Sequence, residues 1–167
     1  MGQSSGRRCP RPPLARHAQV VFEKSNSLGN SAWAQSFLAR NLLSAGHLQE
    51  AQTAAAKAVS LSQKYGGRTT GFEAVLADAR VKAKSRNEVG ARKELDAMLA
   101  SARKYGYLSY EFQARLALGE IELESGSPSA ETRLRSLENE ARLKGMLLIA
   151  DEAAALLKRA ETSSGAV

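Results

Sequence analysis

The chain has 167 residues and contains 29 alanines and 21 leucines, against only 9 valines and isoleucines together. Because helix interiors favour Ala and Leu whereas strands favour β-branched residues, this composition predicts an all-α fold. The formal net charge is +7 and the single cysteine excludes an internal disulfide. The longest wholly apolar runs have five residues, as from Met146 to Ala150, and are too short for a membrane span.

The first 13 residues (MGQSSGRRCPRPP) are predicted to form a disordered basic leader. They hold three of the four prolines and three arginines but no acidic residue, so they offer too little apolar surface to fold. The arginines are not followed by the apolar stretch of a secretory signal, and a cytoplasmic location is therefore the default expectation. Residues 14–26 come next and are predicted to form a helical half repeat.

A 40-residue period organises the remainder of the chain. Lys64-Tyr65-Gly66 recurs as Lys104-Tyr105-Gly106, and Leu143-Lys144-Gly145 follows 39 residues later. Two further sets share this spacing: Ala39, Ala79 and Gly119, and Gly46, Arg86 and Gly126. A cation followed by glycine is typical of a helix end, so the period predicts helical hairpins joined by turns.

Between these markers, apolar positions recur at helical spacing and predict seven helices. They cover residues 31–45, 48–64, 70–85, 88–105, 109–124, 128–144 and 146–160. Ser127 and Pro128 are the expected N-cap and first residue of the sixth helix. The small residues at the Ala39 position are expected where the two helices of a hairpin cross closely.

The predicted architecture is an α-solenoid of antiparallel helical hairpins. It consists of about three and a half repeats followed by a C-terminal capping helix. The repeat domain spans residues 14–161. Within it, full repeats cover 30–66, 69–106 and 108–145, the capping helix covers 146–161, and a disordered tail follows over 162–167.

Residues 32–61 resemble a tetratricopeptide repeat. Leu38-Ala39 stands for the family's Leu-Gly/Ala pair, the run from Gly46 to Ala51 matches its turn and second-helix signature, and Ala58 and Leu61 match its closing positions. The third repeat matches through Leu118-Gly119, Gly126 and Ala130. The second repeat departs most, because Asp78 replaces a leucine and Arg86-Asn87 replaces the turn glycine.

The resemblance covers roughly residues 14–160, but the period is longer than the family's usual one of about 34 residues. The signature tryptophan and the closing proline are missing from their expected positions. Long-period arrays of this type often form the C-terminal part of bacterial regulators, such as kinases or winged-helix transcription factors. The helix over 14–24 aligns with the second helix of a repeat that lacks its first, which predicts a C-terminal fragment of a larger protein; the alternative is a true N-terminal cap helix.

The residue pattern predicts no enzymatic activity, no cofactor and no metal site. Neither His17 nor His47 has a second histidine or cysteine one helical turn away. The carboxylates of Glu120, Glu122 and Glu124 are typical of a solvated helix face. The basic excess lies in the leader and in residues 64–104 and does not alternate with aromatics, so nucleic-acid binding is disfavoured.

The resemblance implies that the first helix of each repeat lines a concave, peptide-binding face. Nine partner-binding residues follow from that mapping: Trp33, Ser36, Arg40, Glu73, Arg80, Lys84, Gln113, Glu120 and Glu124. Such a groove would suit a peptide whose acidic end lies near the basic residues Arg40, Arg80 and Lys84. Trp33, the single tryptophan, is the expected anchor, or alternatively a core residue beneath the 14–24 helix.

The expected function is that of a non-catalytic scaffold that binds a protein or peptide segment. The alternative is a sensor or oligomerisation module of a larger bacterial regulator. That module would act by docking on its own chain or by self-association.

Overall fold

The computed structural model describes Val20 and residues 27–164, with side chains through Thr162. The predicted leader, most of the half repeat over 14–26 and the last three residues lie outside the described part. The described helices are α1 (Leu28–Ser44), α2 (Leu48–Tyr65), α3 (Arg68–Lys84), α4 (Glu88–Lys104), α5 (Leu108–Glu124), α6 (Ala130–Leu143) and α7 (Leu147–Ser164). This part of the chain is all-helical and contains no strand, which confirms the predicted fold class.

The chain divides after Ser85 into two compact units, here called unit 1 and unit 2. In unit 1, helices α1, α2 and α3 all pack on one another. In unit 2, α4 packs on α5, and α5, α6 and α7 pack together. Within each unit, consecutive helices are therefore neighbours, as expected for an array of helical hairpins. The division falls inside the predicted second repeat and separates α3 from α4.

The period seen in the sequence is the spacing of the first helices of the hairpins. Helices α1, α3, α5 and α7 begin at Leu28, Arg68, Leu108 and Leu147. The turns repeat as well. A residue with positive φ lies in the turn after each of α1 to α6: Gly46, Gly66, Arg86, Gly106, Gly126 and Gly145. Arg86 is the only one of these that is not glycine, and its φ is 62°.

Helix α6 begins later than the sequence pattern predicts. Its first residue is Ala130, whereas Pro128 lies in the preceding turn. The hydroxyl of Ser127 lies 3.2 Å from the hydroxyl of Ser129 instead of capping a backbone N–H. The α5–α6 connection is therefore longer than the α1–α2 connection over residues 45–47, and the prediction of Ser127 as the N-cap is wrong.

The final helix is longer than predicted and has two distinct faces. Helix α7 continues to Ser164, so the first residues of the expected tail are helical. Ile149, Ala150, Ala153 and Leu157 are buried in the core of unit 2. Charged side chains occupy the exposed side: Asp151, Glu152, Lys158 and Arg159. Helix α7 therefore has one face buried in unit 2 and one charged face exposed to solvent.

Small residues lie where the helices of a hairpin approach most closely. Ala39 and Ala79 are fully buried, and Ala39 packs in an alanine-rich core shared by α1, α2 and α3. In unit 2 the equivalent residue is Gly119. A Cβ atom at this position would lie 2.6 Å from Cδ2 of Leu134, which is itself fully buried on α6. The side chain of Leu134 thus occupies the space that any residue other than glycine would need at position 119.

We expect Arg86→Gly to raise the free energy of unfolding by roughly 0.5–1 kcal/mol, because a side chain at positive φ is strained and glycine is not. Chemical denaturation measures the change. The matched reverse variant is Gly46→Arg, 40 residues earlier, where φ is 82° and a Cβ would meet nothing within 4 Å. It should lose a similar amount of stability. Equal free energies of unfolding for the unmodified chain and both variants would contradict the expected strain at the positive-φ position.

We expect Gly119→Ala to destabilise unit 2 by about 1–2 kcal/mol, because overpacking against Leu134 outweighs the helix propensity gained. In a Leu134→Ala background the same change should stabilise the protein, since the clash is gone. Gly71→Ala in the first turn of α3 is the control, because a Cβ there meets nothing within 4 Å. Denaturation midpoints that fall equally in both backgrounds would contradict the close contact.

Candidate functional site

Helix α1 presents a rigid aromatic pair on its outward side. The rings of Trp33 and Phe37, one turn apart, are stacked with centroids 5.8 Å apart and planes inclined by 5°. Phe37 is half-buried and packs against the core of unit 1, whereas Trp33 exposes 52% of its surface. The core therefore holds Phe37, and Phe37 supports the more exposed indole of Trp33.

Arg40 extends this aromatic surface along the helix. It follows Trp33 by seven residues, so it lies two helical turns further on the same side of α1, and it is exposed. Two of the nine predicted partner-binding residues, Trp33 and Arg40, are thus brought together on one accessible stripe. Phe37, which the sequence mapping did not include, belongs to the same stripe. The sequence signal for Phe37 is its four-residue spacing from Trp33 in a helix that has no other aromatic residue.

Ser36 does not belong to this outward surface. It is 2% exposed, and its hydroxyl donates to the carbonyl of Ala32 at 3.0 Å. The equivalent positions of α3 and α5 are Leu76 and Leu116, which are both buried. The repeat therefore places this position in the interior, and the prediction that Ser36 contacts a partner is wrong.

The predicted residues of α3 lie on the helix that packs beside α1 in unit 1. Glu73 and Arg80 are half-buried and Lys84 is exposed. Each of the three also interacts with other residues of the chain. On α1 the predicted cation is Arg40, which is exposed.

The three predicted residues of unit 2 all lie on α5. Gln113 is half-buried, and its amide donates to the hydroxyl of Ser109 at 3.3 Å. Glu120 and Glu124 line a cavity of about 470 Å³ that α5 shares with the α5–α6 turn and with α7. Leu123 and Leu156 supply apolar parts of its wall. The sequence analysis did not predict this cavity, because part of its wall is the turn that precedes the late start of α6.

A buried ion pair joins the helices of unit 2, and the sequence pattern did not reveal it. Glu122 on α5 is 4% exposed. Its Oε1 accepts a hydrogen bond from Nη1 of Arg133 on α6 at 2.7 Å and lies 3.6 Å from Nη1 of Arg92 on α4. Its Oε2 has no hydrogen-bond partner among the described residues. The expectation that Glu122 lies on a solvated helix face is therefore wrong.

Neither a metal site nor a membrane-spanning segment is found in the described part of the chain. It contains no group of three or more His, Cys, Asp and Glu side chains placed to hold a metal ion. None of its helices combines the length and the apolar character needed to cross a bilayer. His47 lies at the α1–α2 turn with its Nδ1 3.5 Å from the carboxylate of Glu50, and both side chains are more than half exposed.

Comparisons with family models, with curated proteins and with solved structures find no match to this chain.

Proposed function

We propose that this chain is a non-catalytic scaffold, similar to tetratricopeptide-repeat proteins, that binds a protein or peptide segment on the outward face of α1 and α3. The observation that carries the proposal is the stacked Trp33–Phe37 pair with Arg40 beside it. Tryptophan, tyrosine and arginine are the residues that most often dominate the energy of protein interfaces. The resemblance of residues 32–61 to the repeat family supports the same reading.

The aromatic pair suits a partner because its geometry is fixed before binding. Phe37 is held by the core of unit 1, so little side-chain freedom is lost when a partner covers Trp33. Covering the exposed half of the Trp33 surface would contribute on the order of 1–2 kcal/mol. We infer that the partner supplies an apolar side chain to the indole.

Arg40 defines the polar part of the proposed contact. A guanidinium two turns from Trp33 can donate a forked pair of hydrogen bonds to one carboxylate. The partner segment should therefore carry an acidic residue beyond its apolar one. This order of apolar and acidic side chains would orient the segment along α1.

The single tryptophan makes the proposal directly measurable. Candidate segments recovered by affinity capture would be synthesised and titrated onto the full chain while the emission of Trp33 is recorded. We expect a blue shift on binding, because the indole leaves water. Trp33→Ala and Arg40→Glu should each weaken binding by about tenfold or more, as measured by calorimetry.

Lys64→Glu serves as the matched charge control, because Lys64 is also exposed in unit 1 but lies near the end of α2. It should retain the binding of the unmodified chain. Captured segments that bind Arg40→Glu and Trp33→Ala as tightly as the unmodified chain would refute the proposed face.

A second candidate function, self-association, is favoured by an exposed group of leucines in unit 2. Leu143 at the end of α6 and Leu147 and Leu148 at the start of α7 expose 87%, 58% and 56% of their surfaces. The equivalent of Leu143 in the preceding repeat is Lys104, the last residue of α4. Contiguous exposed apolar side chains often mark interaction sites. We call these three leucines the leucine corner and propose that it contacts a second copy of the chain.

Sedimentation over a wide range of protein concentrations tests the leucine corner. The unmodified chain should sediment faster as concentration rises, and the double variant Leu143→Ser/Leu148→Ser should not. Val89→Ser is the control, because Val89 on α4 is 82% exposed but lies outside the corner. A chain that stays monomeric throughout, or a double variant that still associates, would rule out this second function.

A further inference from the structure

Unit 2 contains a second cavity, lined by arginines. It has a volume of about 260 Å³ and lies between α4 and α6, with Leu118 and Gly119 of α5 in its wall. Three helices each contribute one arginine to the lining: Arg103 from α4, Arg115 from α5 and Arg133 from α6.

Each of these guanidiniums is held in place by a carboxylate that does not line the cavity. The hydrogen bonds are Arg103 Nε to Glu111 at 2.9 Å, Arg115 Nη1 to Glu140 at 2.7 Å and Arg133 Nη1 to Glu122 at 2.7 Å. The guanidinium of Arg115 also lies 5.0 Å from the centroid of the Phe112 ring. A guanidinium has five N–H donors and each of these bonds uses one, so donors remain for a ligand in the cavity.

We propose that this cavity binds a phosphate group. Its lining carries three positive charges and one negative charge, that of Asp96. A phosphate monoester carries about −1.5 to −2 charges at neutral pH and presents three strongly accepting oxygens, which matches this lining in charge and in number of donors. A carboxylate offers two oxygens and one charge, enough for a single guanidinium fork.

This inference goes beyond the scaffold function, because the cavity lies between the second helices α4 and α6 of unit 2. The proposed partner face lies on the first helices of unit 1. Failure of one proposal would leave the other standing. The carboxylates that hold the arginines also reduce the local positive potential, so binding of a free anion should be weak.

The first test is an NMR titration of the full chain with inorganic phosphate. A parallel titration with chloride at the same ionic strength is the reference. The backbone amides of Gly119 and Ser136 report on the cavity, since both residues line it. We expect saturable shifts with phosphate and none with chloride. Shifts that grow linearly with either salt would overturn the site.

Variants then tie binding to the cavity. Arg103→Gln should raise the phosphate Kd by about tenfold, because it removes one charged donor. Asp96→Asn should lower the Kd several-fold, because it removes the one acidic group of the lining. Both variants would first be checked for a native circular dichroism spectrum. Because the two substitutions are expected to change the Kd in opposite directions, either variant can test the proposal if the other does not fold.

Arg135→Gln is the matched control for Arg103→Gln. Arg135 also has one carboxylate partner, Glu161, and its side chain is 56% exposed against 57% for Arg103, but it lies outside the cavity. It should leave the Kd within about twofold of the unmodified chain, as a distant surface charge does. Equal effects of the two arginine variants would overturn the proposal.

A second titration distinguishes the source of the phosphate. A short phosphoserine peptide, its unphosphorylated form and inorganic phosphate would be compared on the same protein. Tighter binding of the phosphopeptide than of both others would assign the cavity to a phosphorylated protein segment. Binding of inorganic phosphate as tight as that of the phosphopeptide would assign it to a free phosphate. Saturable binding of neither phosphate form would end the proposal.

Discussion

The backbone reversal at the helix ends is the constraint on which both units depend. After α1, α4, α5 and α6 the chain makes the same hydrogen bond, in which an N–H reaches back five residues: His47 to Leu42, Tyr107 to Ala102, Ser127 to Glu122 and Met146 to Ala141. The residue before each of these donors has positive φ, as the motif requires. The spacing of these residues sets where each helix stops. It thereby sets which side chains of one helix meet the next.

The two units fill their interiors in different ways. Unit 1 relies on small apolar side chains, with Ala51, Ala54 and Ala55 packed against Leu38 and Leu42, which lets α1 and α2 approach closely. Unit 2 uses larger residues such as Phe112, Leu134 and Leu137 and therefore needs glycine where α5 crosses α6. It also buries the charge of Glu122. Removing an arginine partner from a buried carboxylate is costly, so Arg133 is as much a part of this interior as the leucines are.

The candidate sites arise where one repeat differs from the others. The positions of Trp33 and Phe37 are occupied by Glu73 and Ala77 in α3 and by Gln113 and Ala117 in α5. The aromatic pair is therefore particular to α1 among these three helices. The repeated backbone supplies a regular frame, and the substituted positions supply the surfaces that we propose for a partner and an anion. The late start of α6 acts similarly, because the longer turn before it forms part of a cavity wall.

The sequence by itself determined the features that depend on near neighbours in the chain. Composition indicated the all-α class, the recurrence of Gly46, Arg86 and Gly126 marked the left-handed turn positions, and the 40-residue period gave the starts of the helices. These signals are local, because a helix and its end are decided by residues within about one or two turns of each other.

Only the tertiary structure decided which side chains are buried and which converge. Glu122 lies in the run Glu-Ile-Glu-Leu-Glu, where alternate acids look solvated, yet α4 and α6 cover it with two arginines. Ser36 was predicted to lie on the surface, but its side chain is buried. The arginines of the cavity come from three helices and are separated by up to 30 positions in the chain, from Arg103 to Arg133. Their meeting depends on how helix faces pack, which no short-range pattern encodes.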